Sequence, residues 1–259
     1  MSEQSEEFGF RRIKYLALGD SIAFGFNPLV TTPQVPSSYK GYPEVIGTIL
    51  PNSVTNASCP GETSGSLLSA SAPDNGCRNF KAAFSLHADY EGTQIAFAQQ
   101  WVAANRDAKF VSINIGANDL FLLQKTCLGD LTCIQTQLPA TLGAVGQNLA
   151  TTYTILRQAG FTGKFIALTT YATNYNDPLS VGALTALNGV VSQVTAAFDG
   201  VVADGYGTFE FFAKKKGGDS CAAGLLIKLP NGTCDIHPSE KGRDILAVSL
   251  VAAAARGAH

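Results

Sequence analysis

Three short apolar runs constrain this chain more than any other feature: IKYLAL at 13–18, FVSINI at 110–115 and KFIALT at 164–169. Each is rich in β-branched or aromatic residues, and each ends in a Gly- or Asn-bearing segment, as a buried strand does. Between them lie stretches with apolar residues every three to four positions, the helical period: 39–50, 92–105, 138–160 and 184–198. Weaker strand candidates stand at 53–56 and 200–203, and a last helix is expected over 239–255 with Ser239 as its N-cap. Strands that alternate with helices pair in parallel, and a parallel sheet needs both faces covered. Functional groups in such sheets gather at the C-terminal ends of the strands. Two stretches, 75–90 and 214–231, read as long surface loops.

With 259 residues, 46% of them apolar, the chain can bury one large core. Residues 1–10 read as a polar tail, disordered or foreign to the natural protein, and 11–259 as a single domain. The 18 basic and 20 acidic residues leave a net charge of -2 and form no basic run, which argues against a nucleic-acid partner. The longest apolar run, 245–255, is too short for a transmembrane helix, which needs about 20 residues. Six cysteines, at 59, 77, 127, 133, 221 and 234, fall in three local pairs within expected loops. An even count in this pattern suits disulfides and an oxidising compartment. Of the 15 possible connectivities, Cys59–Cys77, Cys127–Cys133 and Cys221–Cys234 closes the shortest loops. A zinc site using Cys221, Cys234 and His237 is the rival, weakened by the lack of any CxxC pair. Residues 1–7 are acidic rather than basic-then-apolar, so no signal peptide is visible and a secreted protein would be in its mature form.

Four segments carry chemistry. Gly19-Asp20-Ser21 follows the first strand, where a serine hydroxyl at a turn into a helix sits near N–H groups that attract a developing anion. Gly61 follows the second strand candidate within Asn56-Ala57-Ser58-Cys59-Pro60-Gly61-Glu62-Thr63, and a glycine lets its backbone approach a ligand closely. Gly116-Ala117-Asn118-Asp119 follows FVSINI, where Asn118 can donate its amide toward the same space or, with Asp119, hold the next helix. Asp235-Ile236-His237-Pro238 precedes the last helix. Among three histidines, His87 has no motif around it and His259 is terminal, which leaves His237 as the candidate base. The G-x-S-x-G signature occurs nowhere.

In order and placement these segments resemble the SGNH (GDSL-type) hydrolase family, over nearly the whole chain from Gly19 to Pro238. The resemblance implies a flavodoxin-like three-layer α/β/α sandwich around a five-stranded parallel sheet. It implies Ser21 as nucleophile, His237 as base, and an oxyanion hole made by the N–H groups of Ser21 and Gly61 with the amide of Asn118. The NASCPGETS stretch and the local cysteine pairs look most like the secreted bacterial esterases and lipases of the family. The family's acid stands three residues before the histidine, but that position here is Cys234, and the carboxylate is Asp235. Either Asp235 or a main-chain carbonyl therefore orients His237. No cofactor or metal is expected, and the chain reads as a monomer.

The expected activity is hydrolysis of carboxylic esters, on short or medium acyl chains or lipids. Deacetylation of a polysaccharide such as xylan is the alternative within the fold. A catalytically silent binding protein is the alternative outside catalysis, opposed by the joint presence of Ser21, Gly61, Asn118 and His237.

Overall fold

The computed structural model describes residues 13–49 and 52–256; the expected tail at 1–10 and His259 lie outside them. In chain order β1 (Ile13–Gly19) leads to α1 (Ser21–Phe24), a 3-10 turn at Pro36–Ser38, and α2 (Tyr42–Ile49). β2 (Asn52–Asn56) is followed by α3 (Ser64–Leu68), α4 (Cys77–Ala83) and α5 (Gln94–Ala104). β3 (Phe110–Asn114) leads to α6 (Ala117–Thr126) and α7 (Leu131–Gln158), and β4 (Lys164–Leu168) leads to α8 (Pro178–Ala197). β5 (Val201–Ala203) and α9 (Gly205–Lys214) precede the pair β6 (Leu226–Lys228) and β7 (Cys234–Pro238), and α10 (Glu240–Arg256) closes the chain.

β1 to β5 form one parallel sheet in the order β2-β1-β3-β4-β5. This is the doubly wound, flavodoxin-like arrangement. Side chains alternate across it, so Leu16, Leu18, Val111, Ile113, Phe165 and Ala167 point into one core with α5, α7 and α8. Tyr15, Ala17, Ile166 and Leu168 point into the other, with α2, α9 and α10. A sheet with a core on each face is the middle layer of three, as expected.

The differences from the sequence reading are local. Segment 75–90 is not all loop, for it carries α4. That helix buries only Cys77 and Phe80, too few residues to show a period. Segment 214–231 carries β6, which pairs antiparallel with β7. α7 starts at Leu131 rather than 138, because the Asp130 carboxylate caps it by accepting from Cys133 N at 2.7 Å and the exposed Pro139 is absorbed within it. α8 starts at Pro178 rather than 184, behind the Asp177 cap. Among the described residues α8 is also the one helix long and apolar enough to cross a membrane, where the sequence reading found none. Its Leu187, Val191 and Thr195 are buried.

Three disulfides join Cys59 to Cys77, Cys127 to Cys133 and Cys221 to Cys234. Their ends are not confined to loops. Cys77 opens α4, Cys127 ends α6, Cys133 lies in the first turn of α7, and Cys234 opens β7. In the chain-entropy account such short bridges contribute about 2 to 3 kcal/mol each. Full reduction should therefore lower the melting temperature by more than about 10 °C, since 1 kcal/mol is worth about 2–4 °C in a chain of this size. Calorimetry with and without reductant, beside peptide mapping of the intact bridges, checks both the size of the effect and the pairing.

Candidate active site

The strand order places β1 between β2 and β3, so the loops leaving these three strands are neighbours at one edge of the sheet. Ser21 and Asn118 stand in the first turns of the helices that follow β1 and β3, and Gly61 in the loop that follows β2. Gly19 ends β1 at φ +130°, and a Cβ there would lie 2.2 Å from the Asn114 carbonyl oxygen, so no side chain fits. Asp20 N donates to that same carbonyl at 3.2 Å. The Asp20 carboxylate then caps α1 by accepting from Ile22 N at 2.9 Å, and Ser21 becomes the helix's first residue.

Residues Cys59-Pro60-Gly61-Glu62 form a tight turn closed by Glu62 N donating to Cys59 O at 3.1 Å. Pro in the second place and Gly at φ +84° in the third are the type II arrangement. The Gly61 N–H belongs to the central peptide of that turn and takes no part in its closing bond. The Gly61 carbonyl accepts from Asn75 N at 2.8 Å, and a Cβ on Gly61 would stand 2.6 Å from Asn75 O. The Cys59–Cys77 bridge ties the same two segments together.

Asn118 is buried in the first turn of α6. Its Nδ2 donates to Glu62 O at 3.0 Å, and its Oδ1 accepts from Asn75 Nδ2 at 2.8 Å. These two bonds fix which way the amide points and leave its second N–H uncommitted. Asp119 accepts from Ser64 N at 2.9 Å and from Ser64 Oγ at 2.6 Å. The N-cap of α6 is Gly116, so neither Asn118 nor Asp119 caps it; both reach across to the segment around Gly61.

His237 arrives from the far end of the chain on β7 and is 9% exposed. Its Nε2 meets Ser21 Oγ at 2.9 Å, and its Nδ1 meets Asp235 Oδ1. The same carboxylate oxygen accepts from His237 N at 2.9 Å, which closes a small ring. With Asp235 ionised, the imidazole proton sits on Nδ1 and leaves Nε2 to accept from Ser21. The Phe26 ring covers the imidazole at 4.9 Å between centroids, and Tyr171 OH donates to Ile236 O at 2.8 Å, steadying the strand. Residues 235 and 237 project to the same side of an extended segment, and Asp235 reaches the ring from two residues away for that reason.

The carboxyl groups fall into two kinds. The hydrogen bond from His237 holds Asp235 below the usual carboxylate range. Burial pushes Asp20 and Glu62 up to about 7, and raises Asp119 as well. Glu62 is 3% exposed and accepts from Ser66 Oγ and from Gln94 Nε2.

The structure thus brings Ser21, His237 and Asp235 into one hydrogen-bonded chain, and ties Asn118, in the first turn of α6, to the segment of Gly61 through Glu62 O and Asn75. His87 lies elsewhere, with Nε2 bonded to Phe24 O at 2.9 Å. Cys221 and Cys234 are bonded to each other rather than offered to a metal. Cys59, Cys77 and Glu62 cluster within metal-ligand distances, but both sulfurs belong to a disulfide. Sequence reasoning missed Phe26, Glu62, Gln94 and Tyr171. Glu62 stood in plain view beside Gly61; the other three carry no local signal, since only tertiary packing brings them here.

Residues 17–245 match the sequence model of the GDSL-like lipase/acylhydrolase family. Solved structures with this fold include phospholipase A1 from Streptomyces albidoflavus NA297, 17% identical over 94% of this chain and 100% of that one, with a TM-score of 0.60. The lipase Lip_vut3 from a goat rumen metagenome is 16% identical over 93% of this chain and 97% of its own, with a TM-score of 0.59. Axe2, an acetylxylan esterase from Geobacillus stearothermophilus, is 20% identical over 93% and 94%, with a TM-score of 0.53. At these identities the likeness is one of fold. No curated protein sequence matches the chain significantly.

The raised Asp20 has a consequence for stability. Folded, its carboxyl keeps a proton up to about pH 7, against an ordinary value of 3.8, so between these values the folded chain binds the proton more tightly than the unfolded one. Stability from this group is full at low pH and declines as pH rises through that window, by about 4 kcal/mol in total. Asp20→Asn keeps the capping oxygen and removes the titration. Its melting temperature should fall less between pH 4 and pH 8 than that of the unaltered protein, and identical slopes would contradict the burial argument.

Proposed function

The chain belongs to the GDSL-like lipase/acylhydrolase family, and on that premise we propose that it hydrolyses carboxylic esters through an acyl-enzyme on Ser21. The observation that carries the reading is the chain Ser21 Oγ–His237 Nε2, His237 Nδ1–Asp235 Oδ1. A serine hydroxyl is a weak nucleophile until a base takes its proton. His237 takes it as Ser21 Oγ attacks the ester carbonyl, and Asp235 stabilises the imidazolium that forms. The anionic oxygen of the tetrahedral intermediate is met by the N–H groups of Ser21 and Gly61 and by the second N–H of Asn118. His237 returns the proton to the leaving alcohol, and water repeats the two steps to release the acid.

The substrate is an ester or lipid. Proteins of this fold include a lipase, a phospholipase A1 and an acetylxylan esterase by their names, so acyl length and carrier are what an assay must separate. The three disulfides support an extracellular or periplasmic site of action. Asp235 takes the orienting role in preference to a main-chain carbonyl, because its carboxylate already meets Nδ1.

The test is turnover of p-nitrophenyl esters from acetate to palmitate, run beside acetylated xylan and a phospholipid. Ser21→Ala should stay folded and lose activity by several orders of magnitude; labelling of another serine by a phosphonate ester would overturn the assignment. Asp235→Asn should lower kcat by about 1,000- to 10,000-fold, whereas a loss under about tenfold in a normally melting protein would return the role to the backbone. Asn118→Ala should lower kcat by about 100-fold with little change in KM, since an oxyanion donor acts in the transition state. A raised KM at unchanged kcat would make Asn118 a substrate-binding residue instead.

A further inference from the structure

Gln94 is the first residue of α5 and is completely buried. A fully buried amide is costly unless all its groups are bonded, and the bonds this one makes are unusual. Its Oε1 accepts from Gly19 N at 2.6 Å while its Nε2 donates to Gly19 O at 3.0 Å, so the side chain grips both backbone groups of one residue. That residue is the end of β1, two positions before Ser21. The second Nε2 hydrogen goes to Glu62 Oε2 at 3.1 Å, on the residue after Gly61. The backbone carbonyl of Glu62 in turn accepts from Asn118 Nδ2 at 3.0 Å. One side chain therefore joins the segments that carry all three oxyanion donors, none of which it touches itself.

We propose that Gln94 is a positioning residue that sets the spacing of the oxyanion hole, locking the Ser21 loop to the Gly61–Asn118 side through Gly19 and Glu62. The proposal rests on the reading of Ser21 as nucleophile. An apolar side chain or an ionised carboxylate cannot make this set of bonds. The site needs one acceptor for Gly19 N–H and two donor hydrogens, for Gly19 O and for Glu62. A neutral primary amide supplies both sets from one planar group. Glutamate would supply only acceptors when ionised and would face two groups that burial holds protonated to higher pH than usual, Glu62 and the Tyr90 hydroxyl beside it. A misplacement of about 1 Å in such a site costs roughly 100-fold in rate.

The test compares Gln94→Leu and Gln94→Glu with the unaltered protein on one p-nitrophenyl ester, with Ser21→Ala as the separate control for the nucleophile. If turnover by the unaltered protein does not depend on Ser21, the functional reading fails on that control alone, whatever the Gln94 variants do. Given Ser21-dependent turnover, Gln94→Leu should lower kcat by about 10- to 100-fold and shift KM by less than about threefold, measured well below its melting temperature. Gln94→Glu should show a kcat deficit that narrows steadily from pH 8 to pH 5.5, because a proton shared with Glu62 restores a donor. It carries the test alone should Gln94→Leu not fold. A kcat within twofold of the unaltered protein, a loss expressed in KM, or a Gln94→Glu deficit that is flat with pH would each overturn the proposal.

Discussion

The end of the central strand poses a hydrogen-bonding problem on which the rest of the site depends. β1 must leave the sheet while β2 and β3 still flank it, and the Asn114 carbonyl presses so close that only glycine fits at position 19. Buried backbone groups have to be paired, and at Gly19, still in register with Asn114 of β3, the N–H and carbonyl find partners beyond the strands. Its carbonyl accepts from Cys59 N as well as from Gln94, and its N–H goes to Gln94. The turn that presents Ser21 thus inherits its position from a backbone junction held from several directions. The Gly61 turn and the first turn of α6 are attached to the same junction through Glu62. A hydroxyl on so constrained a turn is pre-aimed, so little ordering remains to be done when substrate arrives.

Around that junction the carboxyl groups divide by environment rather than by residue type. Asp235 accepts from an imidazole and a backbone N–H, and these favour its charged form. Asp20, Glu62 and Asp119 are buried where desolvation disfavours charge. They act as hydrogen-bonding shapes: a helix cap, a link between loops, and a clasp on Ser64. The hydrogen bonds that favour a charged carboxylate therefore lie on the Asp235 side of His237, whereas burial disfavours charge on Asp20, Glu62 and Asp119.

The disulfides serve the same end. Cys221–Cys234 fixes the start of β7, one residue before Asp235, and Cys59–Cys77 fixes the turn that carries Gly61. The third bridge, Cys127–Cys133, staples α6 to α7, away from Ser21 in sequence.

The sequence by itself determined the architecture and pointed to the candidate residues of the site. Apolar runs of strand length at 13–18, 110–115 and 164–169, separated by helical periods, imply a parallel sheet covered on both faces, which is what forms. Ser21, Gly61, Asn118 and His237 were singled out because their motifs, taken together and in order, resemble those of the SGNH (GDSL-type) hydrolase family; no one motif marks its residue alone. Short elements were not legible: α4 buries two residues and β6 spans three, so neither shows a period. Asp235 was ambiguous because reach across two residues depends on whether the backbone is extended, and the pairing of β7 with β6 settles that. Gln94 and Phe26 were invisible, since nothing local in either segment marks its partner 75 or 211 positions away. Only tertiary structure brings such partners together, because a side chain's hydrogen-bonding role is decided by what packs against it and not by the residues beside it in the chain.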